Sequence, residues 1–104
     1  MGLLSLLGVG SGKIKATLRK GAIIIDVRTA AEYDRGHIPD ALNIPVDRIT
    51  ISLQRIKAAN KPVIVCCNSG DRSNTALQLL KEQGLKEVYN GGSWEKLLKL
   101  LRRI

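Results

Sequence analysis

The chain has 104 residues, which is long enough for one domain with its own hydrophobic core and too short for two. Apolar residues make up 44% of it, which excludes a disordered chain, and because Phe is absent the core must be Leu, Ile and Val. The net charge of +8 lies mainly in residues 1–25 and 94–104, where no basic run is interleaved with aromatic residues, so nucleic acid is not an expected partner.

The N-terminal segment predicts a tail ahead of the domain. Met1–Leu7 is apolar but too short for a membrane span, and it lacks the basic start and the cleavage site of a signal peptide. Gly8–Gly12 is typical of a flexible joint. We therefore expect an apolar, glycine-rich tail over residues 1–11, a single domain over 12–104, no membrane partner and a cytoplasmic location.

The rest of the chain alternates between helix and strand patterns. Strands are predicted at 22–25, 41–44, 62–66 and 87–89, and the Gly91-Gly92 pair predicts a turn. Helices are predicted at 14–20, at 30–35, over Ile49, Leu53 and Ile56, at 76–80, and at 97–104. Strands that alternate with helices indicate an α/β fold with a parallel sheet covered on both faces.

Cys67 stands where the apolar run 63–66 ends and a polar loop begins. The backbone amides of the loop and the start of the following helix stabilise a negative charge, so this position favours a reactive thiolate. Asp26 and Arg28 also follow a predicted strand, and the working site of an open α/β sheet lies past the carboxyl ends of its strands. We expect these groups to share one rim.

Cys66 and Cys67 are the two cysteines of the chain, and they are adjacent. Such a pair does not make a disulfide framework and matches no zinc spacing, so a reduced setting without a bound metal is expected. Cys66 has two open interpretations. It is a small buried strand residue, or it is a resolving thiol that attacks an oxidised or persulfide form of Cys67. Neighbouring strand residues point to opposite faces, which argues against the second.

Several segments together resemble the rhodanese family. The first part of the resemblance is carried by Asp26-Val27-Arg28, Glu32-Tyr33, Gly36-His37-Ile38-Pro39 and Ala41-Leu42-Asn43-Ile44-Pro45. The second part is carried by Val65-Cys66-Cys67-Asn68-Ser69-Gly70-Asp71-Arg72-Ser73, by Gly91-Gly92 and by Trp94. The resemblance implies a rhodanese-like α/β fold with a central, mostly parallel five-stranded sheet and helices on both faces.

The resemblance also implies a sulfurtransferase. In the family, the cysteine that aligns with Cys67 takes a sulfane sulfur from thiosulfate or another persulfide donor and passes it to a thiol or protein acceptor. The binding loop would be Asn68, Ser69, Gly70, Asp71, Arg72 and Ser73. Arg72 would bind the donor anion or brace the loop, while Asp26, Arg28 and His37 are supporting residues. No cofactor is implied, and we expect a monomer.

The loop departs from the family pattern in its charge. Asn68 stands where many members carry a basic residue, and Asp71 offsets Arg72, so the loop has almost no net charge. We expect the dianion thiosulfate to bind weakly, and a thiol or protein persulfide to be the better donor.

Two other functions remain open at this point. Cys66 and Arg72 are separated by five residues, which matches the spacing of cysteine phosphatases, although Val65 and Ser69 replace the His and Gly that commonly flank such a loop. Alternatively, the chain is a non-catalytic or sulfur-carrier module that docks a partner protein through its basic terminal segments.

Overall fold

The computed structural model describes residues 12–104, so the predicted tail over 1–11 lies outside the described residues. Four strands form one sheet: β1 (Ile23–Asp26), β2 (Leu42–Asn43), β3 (Val63–Cys67) and β4 (Val88–Ser93). Their order across the sheet is β2-β1-β3-β4, and each neighbouring pair is parallel.

The helices occupy the connections, as the alternating pattern predicted. They are α1 (12–20), α2 (Ala30–Asp34), α3 (Leu53–Ala58), α4 (Asp71–Glu82) and α5 (Trp94–Leu101). None of the helices in residues 12–104 is both long enough and apolar enough to cross a membrane.

The fold class is confirmed, but the expected number of strands is wrong. The sheet within residues 12–104 has four strands, not five. Between β2 and β3, the chain forms two 3₁₀ turns (Val46–Arg48 and Thr50–Ser52) and then α3, and not a further strand. The single helix expected over Ile49 to Ile56 is therefore also wrong in its first half.

Two apolar layers cover the sheet, one on each face. On the first face, α3 and α4 pack on alternate strand residues, among them Ile25, Val65 and Cys67. On the second face, Ile14 of α1 and Leu97 of α5 pack on Ile64 and Cys66. Because successive residues of a strand face opposite sides, the two cysteines belong to different layers.

An irregularity in β4 replaces the turn predicted at the glycine pair. Val65 pairs with Asn90, but the next residue of β3 pairs with Gly92, so Gly91 is an extra residue in β4. A Cβ atom at Gly91 would lie 2.9 Å from Cγ2 of Ile64 and 3.0 Å from Cδ2 of Leu97. Gly91 thus lets the bulged strand pass close to the core, which is a recognised use of glycine in strands.

Candidate active site

The loop after β3 follows the carboxyl end of the strand and leads directly into α4. Its turn depends on Gly70, whose φ of 99° lies in the left-handed region that glycine adopts without strain. The loop residues Asn68 to Ser73 and the start of α4 thereby surround one sulfur atom, that of Cys67. The amide nitrogen of Gly70 donates a hydrogen bond to this sulfur at 3.0 Å.

The Cys67 thiol is buried, with 1% of its surface exposed, yet it is surrounded by hydrogen-bond donors. Its Sγ lies 3.3 Å from Oγ of Ser73. Burial alone raises the pKa of Cys67, whereas hydrogen bonds from the Ser73 hydroxyl and from the backbone amides of Ser73, Gly70 and Ser69 lower it, and the net pKa is below the ordinary thiol value. The site therefore stabilises a thiolate, the reactive form of cysteine.

Asn90 of β4 connects the loop to the sheet. Its Nδ2 donates to the carbonyl oxygen of Gly70 at 3.2 Å, and its Oδ1 accepts from the amide of Gly92 at 2.8 Å. The same Oδ1 accepts from the Ser73 hydroxyl at 2.7 Å. One side chain thus contacts Gly70 and Ser73, two of the residues that donate hydrogen bonds to the Cys67 sulfur.

Arg72 braces the loop from α4. Its Nη1 and Nη2 donate to Oε1 and Oε2 of Glu32 in α2, at 2.7 and 3.0 Å. Glu32 also accepts from Nδ2 of Asn68 at 3.0 Å. It accepts from the backbone amide of Thr29 as well, in the capping box at the start of α2. The Arg72 guanidinium and the Thr29 amide hold the pKa of Glu32 well below its usual range. Arg72 therefore has a bidentate partner and is not an unpaired charge beside the sulfur.

Asp26 and Arg28 form a buried ion pair, not a part of the rim. Their side chains are 0% and 4% exposed, and Nη2 of Arg28 lies 2.7 Å from Oδ2 of Asp26. Arg28 also donates to the carbonyl oxygens of Glu32 and Gly36. The pair thus connects the segment containing α2 to the end of β1, and Arg28 holds the backbone of Glu32 in place.

His37 contacts the backbone of α2 and not the sulfur. Its Nδ1 lies 2.7 Å from the carbonyl oxygen of Tyr33, and its ring stacks on the Tyr33 ring with centroids 3.6 Å apart. These contacts give His37 a bracing position.

Cys66 faces the second apolar layer and is fully buried. Burial, with a contribution from Asp26, raises the pKa of Cys66 above the ordinary thiol value. A neutral thiol that faces away from the loop does not have the geometry of a phosphatase nucleophile, so the five-residue spacing to Arg72 carries no phosphatase site.

Sequence reasoning missed the roles of two residues. Glu32 stands three positions after Thr29, a capping-box spacing that predicts the start of a helix but not a partner for Arg72. Asn90 is a polar residue immediately before a glycine pair, and it lies half-buried within β4. That position is a signal in itself, because a polar side chain that is partly removed from water within a strand needs a hydrogen-bond partner.

Comparison with protein-family models matches residues 11–99 to the rhodanese-like domain family. The chain belongs to this family. The match covers both the loop around Cys67 and the α2 segment that braces it, so the rhodanese-like domain accounts for most of the chain.

Similar proteins carry sulfurtransferase names. The rhodanese-like chain is 40% identical over 68 residues to a sulfurtransferase from Allochromatium vinosum, covering 65% of this chain and 63% of that protein. It is 38% identical over 72 residues to a thiosulfate sulfurtransferase from Escherichia coli strain K12, covering 65% and 66%. The chain thus matches less than two thirds of the length of either relative.

A solved structure supports the fold. A rhodanese from E. coli, determined with anions, superimposes with a TM-score of 0.66 at 32% identity and covers 72% of this chain and 89% of that one. The chain therefore has the fold of the rhodanese-like domain family.

Proposed function

We propose that the protein is a sulfurtransferase that carries sulfur as a persulfide on Cys67. The observation that carries this proposal is the set of hydrogen-bond donors around its buried Sγ, which include the Gly70 amide at 3.0 Å and the Ser73 hydroxyl. They stabilise the thiolate that attacks a sulfur donor and the thiolate that is released when the sulfur leaves.

The two steps need no other reagent. The Cys67 thiolate attacks the outer sulfur of a donor R–S–SH, the S–S bond of the donor breaks, and R–S⁻ leaves with the electron pair. An acceptor thiolate R′–S⁻ then attacks the outer sulfur of the Cys67 persulfide, giving R′–S–SH and the Cys67 thiolate again. With thiosulfate as donor, sulfite is the leaving group.

The proposed acceptor is a small thiol or a protein thiol, and the protein is proposed to act as a monomer whose functional unit is residues 12–104.

Incubation of the reduced protein with a sulfur donor, followed by mass spectrometry, tests the reaction. We expect an adduct of about 32 Da, one sulfur atom, on the wild type and on Cys66→Ser but not on Cys67→Ser. The absence of an adduct from all three would favour a non-catalytic module that binds a partner protein.

We further propose that a persulfide is a better donor than thiosulfate. The positive charge of Arg72 is taken up by Glu32, whose carboxylate it meets at 2.7 and 3.0 Å, and Asp71 adds a negative charge to the loop. The thiosulfate dianion would therefore be bound by the backbone amides of the loop, because the positive charge of Arg72 is already paired with Glu32.

Steady-state kinetics test this preference. We expect a higher KM for thiosulfate than for a small-molecule persulfide, and a thiosulfate KM in the tens-of-micromolar range or below would contradict the proposal. Glu32→Gln, which releases Arg72, should lower the thiosulfate KM about three- to tenfold and leave the persulfide KM nearly unchanged. Glu95→Gln makes the same change of charge at an exposed position of α5 and should change neither KM.

A further inference from the structure

The Ser73 hydroxyl lies between two groups that can each accept its single proton. Its Oγ is 2.7 Å from Oδ1 of Asn90 and 3.3 Å from Sγ of Cys67. Ser73 is fully buried, so no exposed surface is available for water to take the place of either partner. One hydroxyl carries one proton, and it therefore serves Asn90 or the sulfur but not both at once.

The orientation of the Asn90 amide is fixed by two backbone groups. The Gly92 amide can only donate and lies 2.8 Å from Oδ1, whereas the Gly70 carbonyl can only accept and lies 3.2 Å from Nδ2. A flipped amide would break both contacts. The atom that faces Ser73 is therefore an oxygen, a fixed acceptor.

We propose that Ser73 and Asn90 form a hydrogen-bond switch that follows the charge on the Cys67 sulfur. In the thiol form, Sγ–H donates to Oγ of Ser73, and Ser73 donates to Oδ1 of Asn90. In the thiolate form, the hydroxyl turns and donates to the sulfur, while Oδ1 keeps its bond from the Gly92 amide. Asn90 is a positioning residue that acts on the sulfur through Ser73.

The switch has a use in the sulfur transfer proposed above, on which this step of the argument rests. In the persulfide, Sγ is a neutral divalent sulfur and a weak acceptor, so Ser73 stays on Asn90. When an acceptor thiolate takes the outer sulfur, the S–S bond breaks and its electron pair moves to Sγ. The hydroxyl then turns to the new negative charge, a hydrogen bond that is strong in the transition state and weak before it.

The other charged groups near the sulfur are the Arg72–Glu32 pair, the Asp26–Arg28 pair and Asp71. Asp71 lies exposed at the start of α4, with Oδ2 3.4 Å from Oγ of Ser69, and the neutral Cys66 thiol faces the other layer. All of these stay in place when Ser73 or Asn90 is changed, so a double-mutant cycle isolates the contribution of the switch.

The pKa of Cys67 in the reduced protein provides the test, and it needs no sulfur donor. It is obtained from the pH dependence of alkylation by iodoacetamide, with Cys67→Ser as the blank. Ser73→Ala removes the donor to the thiolate and should raise the pKa by about half to one unit. Asn90→Ala removes the acceptor that favours the thiol form and should lower the pKa by a similar amount. In the Ser73→Ala background, Asn90→Ala should change it little.

A merely structural role for Asn90 predicts the opposite sign. Loss of its bonds would then release the loop and the Gly70 amide, and the pKa would rise in both backgrounds, which would overturn the proposal. Asn90→Asp keeps the shape of the side chain and serves if Asn90→Ala does not fold. Its carboxylate should raise the pKa more in the presence of Ser73 than in Ser73→Ala, and equal rises would also overturn the proposal. If the pKa values of the double-mutant cycle follow the expected pattern but no persulfide adduct forms, sulfur transfer is refuted and the switch is not.

Discussion

Cys66 and Cys67 are adjacent in the sequence but face opposite sides of the sheet. Cys67 points into the layer with α3 and α4, where loop amides and Ser73 lower its pKa despite its burial. Cys66 points into the layer with α1 and α5, where burial and Asp26 raise its pKa. The alternation of side chains along a strand thus places the proposed nucleophile and a core residue at adjacent positions.

The raised pKa of Cys66 predicts a loss of stability at alkaline pH. Its folded pKa lies above the unfolded value of about 8.5, so the neutral thiol's contribution is fully present below pH 8.5 and declines as the pH rises toward the folded pKa. Relative to Cys66→Ala, the wild type should lose about 1.4 kcal/mol of unfolding free energy for each pH unit above that point.

Urea unfolding under reducing conditions at pH 7.5, 8.5 and 9.5 measures this difference. Other groups, including Cys67, titrate in the same way in both proteins and cancel in the comparison. The cavity left by alanine adds an offset that does not depend on pH. Parallel curves for the two proteins across this range would contradict a raised pKa at Cys66.

At the scale of elements, the bulge in β4 and the loop after β3 form one unit. Gly91 is the extra residue of the bulge; its neighbour Asn90 contacts Gly70 and Ser73, and the Gly92 amide donates to Oδ1 of Asn90. The positions of the sulfur's donors therefore depend on a neighbouring strand as well as on the loop itself.

Gly91→Ala should destabilise the protein by about 1–3 kcal/mol, because its Cβ would overlap Ile64, Leu97 and the carbonyl oxygen of Val65. Strand β4 would have to move, so the Cys67 pKa should also shift. Thermal or urea unfolding measures the first effect and alkylation kinetics the second.

The matched control is Gly12→Ala, at a helical position where a Cβ would meet no atom of residues 12–104 within 4 Å. It should be neutral or slightly stabilising, since alanine favours a helix over glycine. An equally small change in stability for Gly91→Ala would show that the bulged strand can accommodate a Cβ atom, and would contradict the prediction.

Local pattern predicted the strand and the loop around Cys67, but not the bulge in β4 beside them. The apolar run 63–66 and the polar residues after it predict a strand and a loop, and the structure has both. The contacts of Glu32 and Asn90 were not recognised, because both join segments that lie far from the loop in the chain.

At the scale of the whole molecule, the alternation of strands and helices predicted the parallel sheet with two covered faces, but not the number of its strands. The segment 46–58 contains apolar residues at helical spacing, yet its first part forms 3₁₀ turns. Ile49 and Ile56 are both buried, so the burial of apolar residues does not by itself distinguish one α-helix from 3₁₀ turns followed by a shorter helix. Tertiary contacts decide between the two conformations.

The whole molecule also brings together charge that is divided in the sequence. Basic residues lie on α1 and along and just after α5, and Ile14 and Leu97 anchor both helices in the same apolar layer. The Cys67 side chain belongs to the other layer. These two basic helices and the Cys67 sulfur are thus on different sides of the sheet.

The opposite orientation of the two cysteines has a consequence for how long sulfur can be kept. A second thiol within reach of a persulfide would attack it, form a disulfide and release the sulfur as hydrogen sulfide. The sheet lies between Cys66 and the outer sulfur on Cys67, and the Cys66 thiol is held in its neutral form. In the proposed reaction, the loaded protein would therefore keep its sulfur until an acceptor arrives, because Cys66 cannot remove it.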